Sequence, residues 1–177
     1  YDPQDFSKTP AQPVLDADGQ WVLVPIAFPG RNVYAKLWRV DVGRVELYLL
    51  DTDIEQNLPE DRVITHQLYG GDWENRLKQE LLLGFAGVRA LRRLSIHADV
   101  YHCNEGHAAF IGLERMREYV QNKDLSATQA LEVVRASSLF TTHTPVPAGH
   151  DAFSEDMPRR DLAQFPERLK MAWTSMM

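Results

Sequence analysis

The chain has little cysteine: Cys103 is its one thiol among 177 residues. A single cysteine cannot form an internal disulfide, and six scattered histidines without a second thiol exclude the familiar cysteine-rich zinc sites. This cysteine usage is typical of proteins that work in a reducing, cytoplasmic compartment.

Apolar runs long enough to cross a bilayer are also missing, and residues 1–4 resemble no secretory leader. Positive charge is in deficit, since 19 Lys and Arg oppose 25 Asp and Glu for a formal net charge of -6. No basic block is long enough to follow a phosphate backbone. We therefore expect a soluble protein with neither nucleic acid nor membrane among its partners.

The length suits one domain or a part of one. The chain opens on Tyr1 instead of a methionine and stops at Met177 without a clear terminating motif, so we expect a piece of a longer protein. Residues 1–20 are rich in proline, aspartate and glycine. They predict a poorly ordered lead-in before a domain that occupies residues 21–177.

β-Branched and aromatic runs predict three strands at the start of this domain, the last two forming a hairpin. The predicted strands are residues 21–24, 32–40 and 44–50. The charged residues Arg39, Arg44 and Glu46 predict one solvent-facing side, which is typical of an antiparallel sheet.

A long amphipathic helix is predicted over residues 73–94, with Asp72 as its N-cap. Arg76 and Glu80 stand four residues apart and are expected to pair on the exposed side of this helix. Glycine weakens a helix, so the two glycines in its second half predict a close approach to another element. These glycines are Gly84 and Gly87.

The rest of the chain alternates strand and helix. Strands at residues 99–103 and 138–142 flank helices at 106–120 and 126–136, and this βαβ order predicts a parallel sheet. A final helix over residues 159–173 follows Pro158, which suits a first helical position. The predicted fold class is therefore α/β, a parallel βαβ sheet with an antiparallel hairpin portion.

Both predicted parallel strands end on polar residues, where open α/β sheets bind their ligands. The polar residues are Asn104, Glu105, Gly106 and His107 after the first strand, and Thr142, His143 and Thr144 after the second. Each alone has a plain structural explanation, such as an N-cap, a turn or a satisfied histidine, but two such strand ends together predict a binding rim. Its amides and oxygens suit the hydroxyls of a sugar. His150 and Asp151 stay open between structural and functional roles.

A metal site is the competing interpretation of these residues. Its ligands would come from His102, His107, His143, His150 and Glu105. His102 and Cys103, however, point to opposite faces of one strand, and the sequence has no helical pair of histidines four residues apart. We therefore predict no metal.

Two long strings resemble signatures of the bacterial and archaeal branch of the glycogen and starch phosphorylases. They are residues 101–110, YHCNEGHAAF, and residues 140–151, FTTHTPVPAGHD. Shorter strings at residues 49–53, 68–72 and 76–80 resemble the same branch. The resemblance is densest from Leu47 to Phe153.

The resemblance implies that the chain is part of the amino-terminal, Rossmann-like domain of a two-domain GT-B fold. The whole enzyme would use inorganic phosphate to cleave a terminal α-1,4-linked glucose from a glucan and give glucose 1-phosphate. Pyridoxal phosphate would be held by a lysine of the carboxyl-terminal half, which is absent here and would be the partner domain. This segment alone would bind no cofactor and would be inactive, and a homo-oligomer is compatible with the family.

By the same resemblance, His143 corresponds to the histidine that touches the glucosyl unit at the cleaved bond, and it is the expected catalytic residue. The residues expected to line the sugar pocket are Asn104, Glu105, Gly106, His107, Thr142 and Thr144. The better-known branch has an aspartate at position 105 and a threonine at position 106. The family's mobile gate loop, coupled to phosphate, corresponds to Gly70, Gly71, Asp72 and the following Arg76.

Two other functions stay open at this point. A nucleotide-sugar-dependent GT-B glucan synthase would use no pyridoxal phosphate and would release a nucleotide from its sugar donor. A non-catalytic glucan-binding module would keep the pocket without any turnover.

Overall fold

The computed structural model describes residues 6–68, 71–146 and 151–176. Its first part is an antiparallel sheet built on the long strand β3 (Arg31–Val42). Strand β2 (Leu23–Phe28) pairs with one edge of β3 and β4 (Val45–Asp51) with the other, since Lys36 of β3 faces Leu23 on one side and Asp51 on the other. The three predicted strands and the hairpin of the last two are confirmed.

Ordered structure begins earlier than the sequence predicts. Strand β1 (Gln12–Pro13) extends the edge of β3 that β2 occupies, and a 3-10 helix at Phe6–Lys8 precedes it. The ring of Phe6 stacks on Trp38 with centroids 4.5 Å apart. The proline-rich composition predicts a loose segment, but pairing with β3 and the stacking of an aromatic ring hold these residues in place.

The sheet has one buried and one solvent-facing side because its side chains alternate with the strand period of two. The buried members of β2 and β3 are Val24, Ile26, Phe28, Val33, Ala35 and Leu37. At the far end of the hairpin Arg44 and Glu46 are exposed, as predicted. A loop with the short helix α1 (Pro59–Arg62) then leads to the helical part of the chain.

One continuous helical stretch covers the buried side of the sheet, in place of the predicted single α-helix. It consists of α2 (Trp73–Leu81), a π-helical segment (Leu82–Ala86) and α3 (Gly87–Arg93). Asp72 caps α2 as predicted, because its carboxylate accepts a hydrogen bond from the N–H of Asn75 at 2.9 Å.

The two glycines of this helix have different surroundings. A Cβ at Gly84 would lie 2.6 Å from Cβ of Phe110 and 2.9 Å from the backbone nitrogen of Ile111, so the predicted close approach is confirmed at this position. A Cβ at Gly87 would have nothing within 4 Å, so the same prediction is wrong there.

Helix α4 (Ile111–Asn122) packs beside α3 through ion pairs. Arg89 donates to both carboxylate oxygens of Glu114, at 2.7 and 3.0 Å, and the Glu114 side chain is fully buried. Burial acts to raise the pKa of Glu114, but hydrogen bonds from Arg89 and Arg117 outweigh it and lower the pKa. A buried carboxylate held by two arginines thus joins the helices.

The predicted βαβ unit is confirmed. Strand β5 (Tyr101–Asn104) pairs in parallel with β6 (Ser138–Thr141). Between them lie a 3-10 helix (Glu105–Ala108), α4 and α5 (Ala127–Ala136), which starts at a capping box formed by Ser126 and Gln129. The single helix predicted over residues 106–120 is therefore a 3-10 turn followed by α4.

Arg115 of α4 fastens this strand pair to the helical layer. Its guanidinium lies 3.9 Å from the centroid of the Tyr101 ring and donates to the hydroxyls of Ser137 and Ser138. The residue is only 2% exposed. Because a buried guanidinium needs partners for its N–H groups, these contacts fix the positions at which β5 and β6 begin.

The predicted final helix over residues 159–173 is wrong. The structure has α6 (Asp156–Asp161), α7 (Phe165–Leu169) and a 3-10 turn (Trp173–Ser175) instead. Pro158 lies inside α6 and is not its first residue, and Pro166 lies in the first turn of α7, where a proline is tolerated. Lys170 ends α7 in the left-handed conformation, with φ of 52°.

The side chains of the sheet, the long helix, α4 and α7 share one hydrophobic core. The α/β class with antiparallel and parallel portions is confirmed. Within the described ranges, no helix combines the length and the apolar character needed to cross a membrane.

Candidate functional site

The two predicted site loops lie side by side. Strands β5 and β6 pair from Tyr101 opposite Ser138 to Asn104 opposite Thr141, so both carboxyl ends meet at one edge. The imidazole Nε2 of His102 lies 2.7 Å from the Thr141 hydroxyl across this edge. The parallel register therefore brings the loop after Asn104 next to the loop after Thr141.

Glu105 joins these two loops. Its Oε1 accepts a hydrogen bond from the backbone N–H of Thr144 at 2.8 Å, although the two residues are 39 positions apart. The Nε2 atoms of His107 and His143 lie 3.6 Å and 3.9 Å from its carboxylate oxygens. Glu105 is 6% exposed, so one buried carboxylate gathers three predicted site residues around it.

The backbone of Glu105 is in the left-handed region, with φ of 57°. This conformation is uncommon outside glycine, and such residues concentrate at functional sites. Hydrogen bonding by Thr144, through its side chain and its backbone N–H, lowers the pKa of Glu105, and the charge of His143 acts in the same direction. Glu105 is therefore ionised at neutral pH.

His143 is the exposed histidine of the rim. Its side chain is 59% exposed, and its Nε2 faces the Glu105 carboxylate. A ring in this position is accessible to a ligand from outside while the loop below it is fixed through Thr144.

Arg76 of α2 holds the other side of His107. Its Nη2 lies 2.5 Å from Nδ1 of His107, and its Nε and Nη2 donate to Oδ2 of Asp151 at 2.9 and 2.7 Å. A guanidinium can only donate, so Nδ1 of His107 is the acceptor and the neutral ring carries its proton on Nε2. This places the N–H of His107 on the side of Glu105.

Other predicted residues lie around this group without joining it. Asn104 and Thr142 are exposed at the rim, and Gly106 is half-buried in the 3-10 helix. Gly71, with φ of 82°, and the capping residue Asp72 form the start of α2. Gly70 and His150 lie outside the described residues.

Two residues close to Arg76, Glu80 and Asp151, have no site role assigned from the sequence. Glu80 was expected on an exposed helix face with Arg76, but their side chains are only 5% and 12% exposed, so that expectation is wrong. The sequence leaves the role of Asp151 open. The spacing of Arg76 and Glu80 is visible in the sequence, whereas the contact of Arg76 with Asp151, 75 positions away, is not.

A guanidinium already stands where a metal ion would have to bind. Ligand atoms of Glu80, His107 and Asp151 lie within 4.8 Å of one another. Nη2 of Arg76 is 3.1 Å from Glu80 Oε1 and 2.7 Å from Asp151 Oδ2, and it also contacts His107. This cluster is therefore an arginine-centred network, and of the candidate histidines that the structure describes, His102, His107 and His143, it contains His107 alone.

A cavity of about 680 Å³ lies between the β3–β4 hairpin and the long helix. Its walls are mostly apolar, with leucine the commonest residue, and Arg76, Glu80 and His107 are among its polar residues. A sugar needs many hydrogen-bonding partners, so the rim suits a sugar better than this cavity does.

No family model matches the chain. It is 46% identical over 169 residues to the maltodextrin phosphorylase of Thermococcus litoralis, which is 96% of this chain and 20% of that protein. It is 48% identical over 165 residues to the glycogen phosphorylase of Mycobacterium tuberculosis, 90% of this chain and 19% of that protein. The glycogen phosphorylase of Aquifex aeolicus is 41% identical over 137 residues, 77% of this chain and 20% of that protein.

The fold and the site define an α/β chain with a polar, histidine-bearing rim at the carboxyl ends of parallel strands. The chain belongs to the glycogen and maltodextrin phosphorylase family, as the resemblance predicts. It spans about a fifth of the length of these relatives.

Proposed function

We propose that this chain supplies the sugar-facing wall of an α-glucan phosphorylase, which cleaves the terminal α-1,4-linked glucose of a glucan with inorganic phosphate. The observation that carries the proposal is the rim where the exposed His143 stands beside the buried carboxylate of Glu105. Imidazole, amide and hydroxyl groups are partners for sugar hydroxyls. Relatives named as phosphorylases of glycogen and maltodextrin support a glucan as the ligand.

In this proposal His143 contacts the glucosyl unit at the cleaved bond and is the catalytic residue. Glu105 fixes Thr144 and thereby the loop that carries His143. His107 is oriented between Arg76 and Glu105, with its N–H on the side of the rim carboxylate. The remaining residues that line the sugar site are Asn104, Gly106, Thr142 and Thr144.

The start of α2 is the proposed gate. Of the residues assigned to it, Gly71 and Asp72 lie at the helix start and Arg76 one turn later, whereas Gly70 lies outside the described residues. Gly71 has a positive φ that favours glycine, and Arg76 connects the same helix to His107. A change at the helix start can therefore reach the sugar-binding loop through Arg76, which supports a coupling between gate and site.

Bound pyridoxal phosphate would supply the phosphate group that acts on the substrate phosphate. Lys36 donates to the carbonyl of Asp53 at 2.9 Å and Lys78 pairs with Glu74 at 3.4 Å, so these lysines are engaged in the fold. We place the cofactor-bearing lysine outside this chain, in a carboxyl-terminal partner domain. We also propose that residues 21–177 belong to an amino-terminal Rossmann-like GT-B domain, that the enzyme is cytoplasmic and that it is compatible with a homo-oligomer.

Replacement of His143 by alanine in the complete protein tests the function. We expect phosphorolysis of maltodextrin to fall at least about tenfold, the equivalent of one lost hydrogen bond of about 1.4 kcal/mol. The free energy of unfolding should change by about 0.5 kcal/mol or less, because the side chain is largely exposed. Release of glucose 1-phosphate and the thermal midpoint are measured in parallel. His97→Ala, which removes an exposed histidine outside the site, is the matched control.

Normal turnover in His143→Ala would refute the role of this residue. A wild-type protein that forms no glucose 1-phosphate from maltodextrin and phosphate would refute the function itself. Glucosyl transfer from a nucleotide sugar would then favour a synthase, and glucan binding without turnover a binding module.

A further inference from the structure

We propose that Glu80 is a positioning residue: as a neutral carboxylic acid it donates a hydrogen bond to Asp151 and, together with Arg76, holds the chain beyond His143 and the ring of His107 in place. The inference goes beyond the proposed function by assigning a role to a residue that would not touch the sugar. The role of Glu80 rests on the proposed phosphorylase function only in the experiments that measure turnover.

The network is buried and compact. The side chains of Glu80, Arg76 and Asp151 are 5%, 12% and 18% exposed. The carboxyl groups of Glu80 and Asp151 each place an oxygen within 4.8 Å of the other, and Arg76 donates to Asp151 through two nitrogens. Arg76 also reaches Nδ1 of His107. Three parts of the chain, namely α2, the 3-10 helix after β5 and the segment that begins at Asp151, thus meet at one guanidinium.

Two carboxyl groups this close can form a hydrogen bond only if one of them carries a proton. Two carboxylates can only accept, so one of the pair must be protonated to donate. With both ionised, two negative charges would face one guanidinium in a buried site, and the uncompensated charge would be costly. One proton makes the group of Glu80, Asp151 and Arg76 electrically neutral.

Several observations place this proton on Glu80. Asp151 accepts two N–H groups of Arg76, which favours its ionised form. Glu80 is the more buried of the two, and its Oε1 has no hydrogen-bond partner although Arg76 Nη2 is 3.1 Å away. Burial and the hydrogen bond to Asp151 raise the pKa of Glu80 to about 8, against the opposing charge of Arg76. Burial acts to raise the pKa of Asp151, but its bonds to Glu80 and Arg76 lower it.

The described charged and titratable groups that face Glu80 are few. Arg76 comes from its own helix, His107 from the 3-10 helix and Asp151 from the segment after β6. Tyr48 and Tyr101 line the same cavity, but their hydroxyls bond to Glu46 and Arg92. The protonation of Glu80 is therefore governed by the residues of the arginine-centred network, namely Arg76, His107 and Asp151.

The sign of the pH dependence follows from the raised pKa. The stabilisation from the Glu80 proton is fully present below the ordinary glutamate pKa of 4.5 and is lost as pH rises through about 8. Above that pH the second carboxylate repels Asp151, and the contact between α2 and the segment beyond His143 is lost. Turnover should therefore decline on the alkaline side.

Glu80→Gln and Glu80→Ala in the complete protein separate this role from a plain ion pair with Arg76. Glutamine is neutral and can donate the same hydrogen bond, so we expect near wild-type kcat/KM at pH 7 and loss of the alkaline decline. Alanine removes the donor, and misplacement of the site loop should lower kcat/KM about tenfold to a hundredfold. Glu74→Gln alters an exposed ion pair of the same helix and is the control that should leave the pH profile unchanged.

A readout independent of turnover is the infrared carbonyl stretch of a protonated carboxyl group. We expect one such band in the wild-type protein at pH 7, its loss near pH 8, and its absence in Glu80→Gln. If Glu80→Gln is as impaired as Glu80→Ala, or if the band is the same in wild type and Glu80→Gln, the proposal is overturned. If the band behaves as expected and the wild type makes no glucose 1-phosphate, it is the proposed function that fails and not the proton on Glu80.

Discussion

Glu105 is the residue on which the rim depends. It leaves β5 with a left-handed backbone, turns its carboxylate inward and accepts the N–H of Thr144 from the neighbouring loop. The same carboxylate lies within 4 Å of the Nε2 atoms of His107 and His143. A side chain that bonds across two loops can position a sugar-binding histidine without touching the sugar itself.

Removal of this carboxylate should loosen the loop that carries His143. We expect Glu105→Ala to accelerate amide hydrogen exchange of residues 142–146 in the complete protein, since a lost hydrogen bond of about 1 to 2 kcal/mol raises exchange about tenfold. Glu105→Gln keeps an acceptor oxygen and should exchange more slowly than Glu105→Ala. Because the pKa of Glu105 is lowered, the stabilisation is present above the ordinary glutamate pKa and is lost as pH falls through the lowered one.

Mass spectrometry after timed deuterium exchange measures this effect segment by segment. Glu132→Ala removes an exposed glutamate of α5 and serves as the control. Equal exchange of residues 142–146 in Glu105→Ala and wild type would contradict the proposed tie between the loops.

The sequence predicts the residues of the rim better than it predicts the buried network of Arg76, Glu80 and Asp151. Strand ends on polar residues placed Glu105, His107 and His143 together, because parallel strands end at a common edge. The burial of Glu80 was not predictable, since a pair four residues apart on a helix reads as a surface ion pair wherever the helix lies. The partner of Arg76, Asp151, comes from another element and depends on tertiary packing.

At the scale of elements, the long helix packs tightly at Gly84 against the residues that lead into α4. Gly84 lies in the π-helical segment and meets Phe110 and the backbone of Ile111, where the chain enters α4. Any side chain there would push apart the helix and the turn that follows the rim. Gly87 lies at the start of α3 with open space around it.

These two glycines form a matched pair for mutagenesis. Gly84→Ala should lower the free energy of unfolding by about 1 to 3 kcal/mol through overpacking. Gly87→Ala should raise it by up to about 1 kcal/mol, because alanine is a better helix former and meets no neighbour. Calorimetric midpoints of the two variants, compared with that of the wild type, should move in opposite directions. An unchanged or higher midpoint in Gly84→Ala would show that the Gly84 contact does not limit packing, and a lower midpoint in Gly87→Ala would contradict the expectation for Gly87.

The elements that were predicted well have strong local patterns. Strand β2 and the first half of β3 alternate buried and half-buried residues, and α5 begins at a capping box. The last helix was predicted wrongly because the position of Pro158 suggested one helix, whereas the helical structure breaks after Asp161 and again after Leu169. Lys170 in the left-handed region ends α7, and nothing in the residue type requires that conformation. The π-helical segment likewise reads as ordinary helix in the sequence.

At the scale of the whole molecule, the parallel strand pair carries an uncovered apolar surface. Leu139 and Phe140 of β6 are 53% and 58% exposed, and Val100 before β5 is 59% exposed. Parallel sheets are normally covered on both faces, and an open strand edge is a template for pairing with another chain. We expect this surface to need a covering partner.

Production of the 177-residue chain by itself tests this expectation. We expect concentration-dependent association in sedimentation or light scattering, driven by the exposed apolar residues of β6. Phe140→Lys should reduce the association without loss of helical circular dichroism. Val45→Lys changes an equally exposed valine of β4 and should leave the association as it is. A chain that stays monomeric at all concentrations would contradict the prediction.

The substrate class lies beyond what geometry alone provides. The strand register and the buried Glu105 define a polar rim, and such a rim suits many ligands. A glucan is proposed as the ligand because residues 101–110 and 140–151 resemble the phosphorylases. Identities of 41 to 48% support membership of the phosphorylase family. The geometry of the rim supports the proposed position of the site, and the likeness to the phosphorylases supports a glucan as its proposed ligand.

The π-helical segment also constrains how this sequence can vary in length. It amounts to one additional residue between α2, which carries Arg76 and Glu80, and α3, which carries Arg89. Deleting a residue such as the exposed Leu83 would leave an uninterrupted α-helix but turn α3 by about 100° relative to α2. Arg89 would then leave Glu114 if Arg76 stayed at the rim. We expect substitutions of Leu83 to be tolerated. Deletion of one residue at this point would instead separate Arg76 and the site from the contact of Arg89 with Glu114.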